Sequence, residues 1–444
     1  MPDGDHQRER FFALAGRLAS RLCAGEMLLL NLAAERSDFV RFNHGKVRQA
    51  GSVEQRALAL RLVRAQRQAA ASLQLAGAKE DFALAEDGLA RLRQALDGLP
   101  EDPWLLVNET PSSSESLRRG ALPAAEHVVA RIVGAARGRD LVGLYAAGTQ
   151  YRGFANSLGQ RNWHEADSFN FDWSLHGKEG RAVKSGYAGT EWNERVLEER
   201  IESASEQLAL LETPEKTLAP GEYRAYLAPR ALEELTGMLC WGGFSARARA
   251  TRQSPLLGMQ EGRSLSPKVT LIENTAEGVA PGFQNEGFVK PARVRLIDAG
   301  RLGEALVSPR SAREYGLPGN AANAGESPES LDLAPGDLEA RDPLAALGEG
   351  LYVSNLWYLN YSDRAAGRIT GMTRFATFWV EHGRIAAPVG AMRFDDTVYR
   401  MLGENLVDLT RERDMLLDPS TYGARSSASA RLPGALLSVL RFTL

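Results

Sequence analysis

The sequence is short of the residues that most often carry chemistry. Of its 444 residues only two, Cys23 and Cys240, are cysteines, too few for a disulfide framework. The six histidines, His6, His44, His127, His164, His176 and His382, are scattered, and none stands four or five positions from another, as two ligands on one helix face would. Neither charge sign dominates: 53 basic side chains face 56 acidic ones, a net charge of −3, so no global field favours nucleic acid. Apolar runs such as Met27 to Leu32 fall far below the roughly 20 residues of a membrane span. The opening MPDGDHQRER is polar and lacks the apolar core of a secretion signal, so a cytoplasmic protein with no membrane and no nucleic-acid partner is expected. A phosphate-cradling GxxxxGK[ST] and a strand-linked GxGxxG are both missing, and Gly262-Arg263-Ser264-Leu265-Ser266 fails as a nucleophile elbow because position 266 is serine.

What is present reads as α+β. Phe11, Ala15, Leu18 and Leu22 mark an amphipathic helix within 6–22. Strands are predicted at 27–33, 38–42, 46–50, 53–63 and 69–75, with Asn43-His44-Gly45 as a turn. Leu58, Leu60 and Leu62 alternate with Ala59 and Arg61, as in a strand with one buried face. A helix over 81–96 precedes a proline- and serine-rich surface loop over 98–123, then a helix over 124–136. Strands at 141–147, 151–157, 167–175 and 181–188 follow, and a helix at 193–211 closes this half. The stretch 213–221 has the proline and charge of a linker, giving an N-terminal domain of antiparallel sheets with covering helices (1–212) and a β-rich C-terminal domain (222–444). The second domain opens on a strand at 223–227 and a helix after Pro229, ended by Gly242 and Gly243. Residues 316–336 are the predicted mobile segment.

The stretch from Leu351 to Asp396 organises the second domain. It predicts a strand over 351–359, a polar loop over 360–367, a strand over 369–380 and a tight hairpin through Gly383. Asn355, Trp357, Tyr361, Asp363, Arg364 and Arg374 are candidate contacts for a peptide or partner, with internal support as the competing role. Other features have plainer readings. His164-Glu165 is expected to be a strand-end histidine rather than a metal site, and Cys240 a buried structural thiol. Arg247, Arg249 and Arg252 read as a solvated face, and Asp395-Asp396 as helix caps.

Pro220-Gly221-Glu222-Tyr223 and the Pro229 helix, then Ser254, Leu265-Ser266-Pro267 and Val269, and finally the 351–396 block, together resemble the TldD/PmbA family, once called modulators of DNA gyrase and associated with a two-subunit metallopeptidase. Asn156-Ser157-Leu158-Gly159 extends the resemblance into the first half. In the TldD-type subunit the helix after that proline carries HExxxH, and a cysteine near the C-terminus completes the zinc site. By that resemblance the histidine and glutamate positions fall near Gly237 and Met238 and the second histidine near Trp241 or Gly242, and no cysteine follows Cys240. The resemblance therefore implies a PmbA-type (TldE-type) subunit: no cofactor held by this chain, zinc held by a TldD-type partner, and peptide bound at the shared channel. Replacement of ionised ligands by apolar residues also implies that this helix face has turned to packing. Two rivals remain open: an independent metallopeptidase using His164, His176 and acidic residues, and a homodimeric peptide-binding regulator.

Overall fold

The computed structural model describes residues 3–443. Met1 and Pro2, the first residues of the polar opening stretch, and Leu444 lie outside the described residues. Helix α1 (Asp3–Ala19) leads into a meander of β1 (Met27–Asn43), β2 (Lys46–Arg64) and β3 (Arg67–Gln74). Four strands were expected between 27 and 63; there are two, of 17 and 19 residues. The polar stretches that read as breaks stay in register, with Glu35 opposite Gln55 and Ser37 opposite Val53. Their polarity marks a change in what the sheet face meets, not the end of a ladder. The first half continues through α2 (Asp81–Leu96), β4 (Ser114–Arg118), α3 (Ala125–Ala135), β5 (Asp140–Asn156), β6 (Arg161–His176), β7 (Ala182–Gly189) and α4 (Glu194–Leu211). Strand β4 lies inside the expected surface loop, because five residues there pair parallel to β6. Strand β5 likewise fuses two expected strands.

These strands form one seven-stranded sheet in the order β3-β2-β1-β5-β6-β4, with β7 also on β6. One face is greasy and carries the helices. Leu28, Leu30, Leu58, Leu60 and Leu62 pack against Phe11 and Leu18 of α1 and Leu89 and Leu92 of α2. Phe169, Phe171, Trp173 and Leu175 pack under α3 and α4. The opposite face is more polar and receives the second half of the chain, through Leu29 and Phe154 against Phe283 and Ala166 and Ala188 against Val279 and Leu417.

The second half runs β8 (Gly221–Leu227), α5 (Pro229–Cys240), α6 (Ala246–Ala250), α7 (Leu257–Gln260), β9 (Leu271–Glu273), β10 (Val294–Asp298), β11 (Arg301–Leu302), α8 (Pro309–Tyr315), β12 (Ser330–Leu333) and α9 (Pro343–Leu347). It ends with β13 (Gly350–Asp363), β14 (Arg368–Glu381), β15 (Arg384–Pro388), β16 (Arg393–Thr397), a π-helical turn at Arg400–Glu404, β17 (Leu406–Leu417) and β18 (Ser429–Phe442). All eleven strands join one sheet. Within it β8 pairs with both β13 and β18, and β13-β14-β16-β18 completes a closed ring. Closure removes sheet edges and encloses a core including Leu227, Val353, Ile369, Phe394 and Leu437. The segment before β8 is held in place, since Lys216 donates its backbone N–H to the Pro388 carbonyl at 2.8 Å and pairs with Glu381 at 2.7 Å.

Two local expectations fail for identifiable reasons. The cap near 396 is Thr397, whose hydroxyl accepts from the Arg400 N–H at 3.2 Å; Asp395 instead pairs with Arg368 and Asp396 with Arg400. Residues 316–336, expected to be mobile, are anchored. Glu326 is 1% exposed and accepts hydrogen bonds from the Ser245 and Ser308 hydroxyls and from the Arg247 and Ser308 N–H groups, so it ties the N-termini of α6 and α8 together. Burial alone would raise its pKa, but the donors around it outweigh that and hold it below the usual value. A carboxyl depressed by folding contributes stability above its unfolded pKa and loses it as pH falls through the folded one. Glu326→Gln is therefore expected to lower neutral stability by about 2 kcal/mol and to flatten the loss on acidification. Urea unfolding of both proteins between neutral and acidic pH checks it.

Candidate functional site

Helix α5 follows β8 and packs on the closed sheet, mainly against β13 and β18. The Ala228 N–H bonds to the Val353 carbonyl at 3.0 Å, and Pro229 takes the first helical turn, where its missing N–H costs nothing. Ala231, Leu232, Leu235, Met238 and Leu239 form the buried stripe. The 3.6-residue period leaves Arg230, Glu233, Glu234 and Gly237 on the other side, where they line a cleft of about 440 Å³. Asp172 and Lys184 of the first half form its opposite wall, and Asp418 closes it from the β17–β18 loop. Arg230 reaches across the seam: it pairs with Glu233 at 3.0 Å, and a Cβ at Gly186 of β7 would lie 2.4 Å from its Nη2. A side chain at 186 would have to displace the guanidinium from this position.

The cleft is crowded with carboxylates. Burial raises the pKa of Glu233, Arg230 opposes that, and Asp172 and Asp418 add to the rise. Glu234 is raised by burial and then by Glu233 beside it. Such a groove favours groups that bring positive charge or hydrogen-bond donors. At Gly237 a Cβ would meet no atom within 4 Å, so the position opens onto the cleft. Gly237→Ala is accordingly expected to stabilise the chain by about 0.5–1 kcal/mol, through helix propensity alone, as measured by chemical denaturation; a loss would show that the position is not open.

The helix therefore corrects one expectation. Of the four positions at which the family resemblance expects lost zinc ligands, Met238 is buried at 9% exposure, Gly237 faces the cleft, Trp241 is 62% exposed, and Gly242 is a left-handed turn residue with φ +82°. Apolar packing has claimed one of them.

The six candidates on β13 and β14 divide by role. The expected loop over 360–367 is shorter, because β13 runs on to Asp363. Its tail clamps the end of α5: the Tyr361 hydroxyl donates to the Met238 carbonyl, and Arg364 donates to the carbonyls of Trp241 and Gln253 while lying 5.0 Å from the ring centroids of both Trp241 and Tyr361. Asp363 accepts from the Ala366 N–H at 3.1 Å and closes the turn. Asn355 is buried, accepts from the Ser354 hydroxyl at 2.8 Å, and reaches the cleft wall. Trp357 and Arg374 form an open face. The guanidinium lies 4.4 Å over the indole, Trp357 is 48% exposed, and the neighbouring Tyr358 is 77% exposed. Tyr358 and Phe375 hold φ of +57° and +58°, backbone strain of the kind that bulges at binding faces store.

Elsewhere the plain readings need adjustment. His164 lies within β6, not at a strand end; it is 2% exposed, its Nε2 bonds to the Val279 carbonyl at 3.0 Å, and burial pushes its pKa down to about 4. His176 ends the same strand, bonded to the Ser174 hydroxyl at 2.9 Å, roughly 40 Å away at the rise of an extended chain. The two cannot share an ion. Arg249 is not a solvated surface charge: it donates to the Gly303 and Glu304 carbonyls, and burial pushes its pKa down to about 10. The Cys240 thiol is pushed up to about 12 by burial, which keeps it protonated and unreactive. Among the described residues no three His, Cys, Asp or Glu side chains stand together as metal ligands. The donors that α5 offers, two carboxylates and a protonated thiol, do not fit zinc. No described helix is long and apolar enough to cross a membrane.

Sequence reasoning missed Arg230, Glu233 and Glu234, although their place opposite Ala231, Leu235 and Met238 was a legible signal. Asp172, Lys184 and Asp418 gave none, because they arrive from other parts of the chain.

Residues 220–443 match the PmbA/TldA metallopeptidase C-terminal domain. No curated protein matches the chain. Among solved structures, TldE from Thermococcus kodakarensis superposes with a TM-score of 0.80 at 13% identity, over 98% of this chain and 100% of that one. A proposed modulator of a DNA gyrase from Thermotoga maritima gives 0.74 at 16%, over 99% of each chain. One from Bacteroides thetaiotaomicron gives 0.75 at 16%, over 98% of this chain and 99% of that one. At these identities the likeness is one of fold.

Proposed function

The chain belongs to the PmbA/TldD metallopeptidase family, and from that premise we propose that it is the non-catalytic, peptide-binding subunit of a cytoplasmic assembly whose TldD-type partner holds the zinc and cuts the peptide. The observation that carries this reading is the α5 cleft: it opens at Gly237 and offers carboxylates and a protonated thiol where a hydrolytic ion would need a full donor set. A groove walled by both halves of the chain can take an extended or unfolded peptide, with Glu233 and Glu234 attracting its N–H groups or basic side chains. The exposed pair Trp357 and Tyr358, with Arg374, suits contact with the partner or the outer part of the peptide, since desolvated aromatic and arginine side chains anchor interfaces.

The test is reconstitution. This chain and a TldD-type protein are purified alone and together, and peptidase activity is assayed for each. Activity confined to the mixture, with a heterodimer by mass, supports the reading. Full activity from this chain alone overturns it in favour of an independent metallopeptidase. A stable homodimer that binds peptide and ignores the partner overturns it in favour of a regulator.

A further inference from the structure

A larger cavity lies apart from the α5 cleft. It encloses about 790 Å³, within the range of small-ligand sites, which favour junctions between parts of a fold. One wall is Leu106, from the loop between α2 and β4; the others are the 288–293 segment and α8 with the turn after it.

Its frame is built in advance. Asn108 donates to the Gly287 carbonyl at 3.0 Å, and Gln160, fully buried, donates to the same carbonyl at 2.7 Å. Gly287 holds φ +89°, and a Cβ there would lie 2.7 Å from the Phe154 ring. Next to the cavity wall, Arg310 of α8 pairs with Asp102 at 2.7 Å and Arg313 donates to the Leu105 carbonyl at 2.5 Å. Two arginines of α8 thus fix the first-half loop against the second half.

The lining is largely apolar, with three cationic side chains and one carboxylate. Phe288, Val289, Pro291, Pro309 and Leu317 form the body, and Lys290, Arg293 and Arg313 face a single carboxylate, Glu304. Lys290 is neutralised by Glu329 and Arg293 by Glu277. Arg313 has no carboxylate partner among the described residues; one of its N–H groups holds the Leu105 carbonyl, and the guanidinium fork keeps others to donate. An apolar pocket with one unpaired guanidinium at its edge selects a ligand with an apolar body and a carboxylate end.

We propose that this cavity binds the carboxyl end of a peptide whose last residues are apolar, with Arg313 receiving the terminal carboxylate and Phe288, Val289 and Leu317 covering the side chains. The choice of a peptide end over another apolar carboxylate rests on the peptide-binding reading above. Isothermal titration of the full chain, without any partner, compares N-acetyl-Phe-Leu with its C-terminal amide and with decanoate. The free acid binds, the amide binds at least ~10-fold more weakly, and Arg313→Gln weakens the acid by ~10- to 100-fold, the worth of hydrogen bonds to a charged group. Val289→Glu, at a site 42% exposed and away from the Arg313–Leu105 contact, abolishes acid binding by like-charge repulsion and serves if Arg313→Gln unfolds. Equal binding of acid and amide, no binding of the acid, or binding unchanged in both variants overturns the assignment, as does binding of decanoate alone. Because no partner is present, failure of the reconstituted peptidase leaves this result standing, and a working peptidase with no binding here overturns this inference alone.

Discussion

Arg425→Ala is expected to destabilise the chain by about 3–5 kcal/mol, the cost of emptying one side of a buried, hydrogen-bonded charge site. Arg425 is 5% exposed and sits on the loop between β17 and β18, yet it is inserted into the polar face of the first-half sheet. Its guanidinium donates to the Ser37 hydroxyl and the Gly148 carbonyl, each at 3.1 Å, and to the Ser168 carbonyl and hydroxyl at 2.7 and 2.6 Å. Its own carbonyl accepts from Gln150 at 2.7 Å, and its N–H reaches the buried Glu35 at 3.4 Å. Burial pushes its pKa down to about 10, against the pull of Glu35, and it remains charged at neutral pH. Removing it takes the positive charge away from Glu35 and leaves the Ser37 and Ser168 hydroxyls and the Gly148 and Ser168 carbonyls without its donors. Urea denaturation measures the loss. Tyr422→Ala on the same loop, at 99% exposure, is the control and is expected within about 0.5 kcal/mol of the parent. Because Asp418 of that loop also closes the α5 cleft, any peptide affinity of the cleft should fall with Arg425→Ala and survive Tyr422→Ala.

The second large effect lies at the same contact. Gly148 holds φ +141° in the middle of β5, and a Cβ there would stand 2.1 Å from the Arg36 carbonyl oxygen and 2.9 Å from the Ser37 Cα. Both obstacles are backbone of the paired strand β1, so no side-chain rotation relieves them. Gly148→Ala should therefore cost about 4 kcal/mol or more, combining a backbone region open essentially to glycine alone with direct overlap. Since the Gly148 carbonyl is an Arg425 acceptor, the two substitutions share one interaction, and the double variant should lose less than the sum of the singles. Additive losses in thermal or urea unfolding would show that the loop and the strand are energetically independent.

Much of the architecture is written in periodicity. The α2 boundaries, the Asn193 start of α4, the His44-Gly45 turn and the alternation of Phe169, Phe171, Trp173 and Leu175 follow from local pattern, because burial on one face imposes a period of 2 or 3.6. The long strands did not read as continuous for a physical reason. Glu35, Ser37 and Gln150 look like interruptions in apolar runs, but each is buried against the Arg425 loop, which arrives from 275 residues or more further along the chain. Strand β4 was hidden in the same way, since its serines pair with a distant β6.

The candidate site divides along the same line. By itself the sequence determined that α5 starts at Pro229, that its buried stripe includes Ala231, Leu235 and Met238, and that this helix carries no histidine and no cysteine follows Cys240. These are facts about residue identity and helical spacing. Tertiary structure alone decided that Glu233, Glu234 and Gly237 face Asp172, Lys184 and Asp418 across a cleft, that Tyr361 and Arg364 clamp the helix while Trp357 and Arg374 stay open, and that Arg425 crosses the seam. Those pairings depend on which distant segments fold onto one another, and a buried polar contact is chosen by its partner rather than by its neighbours in the chain.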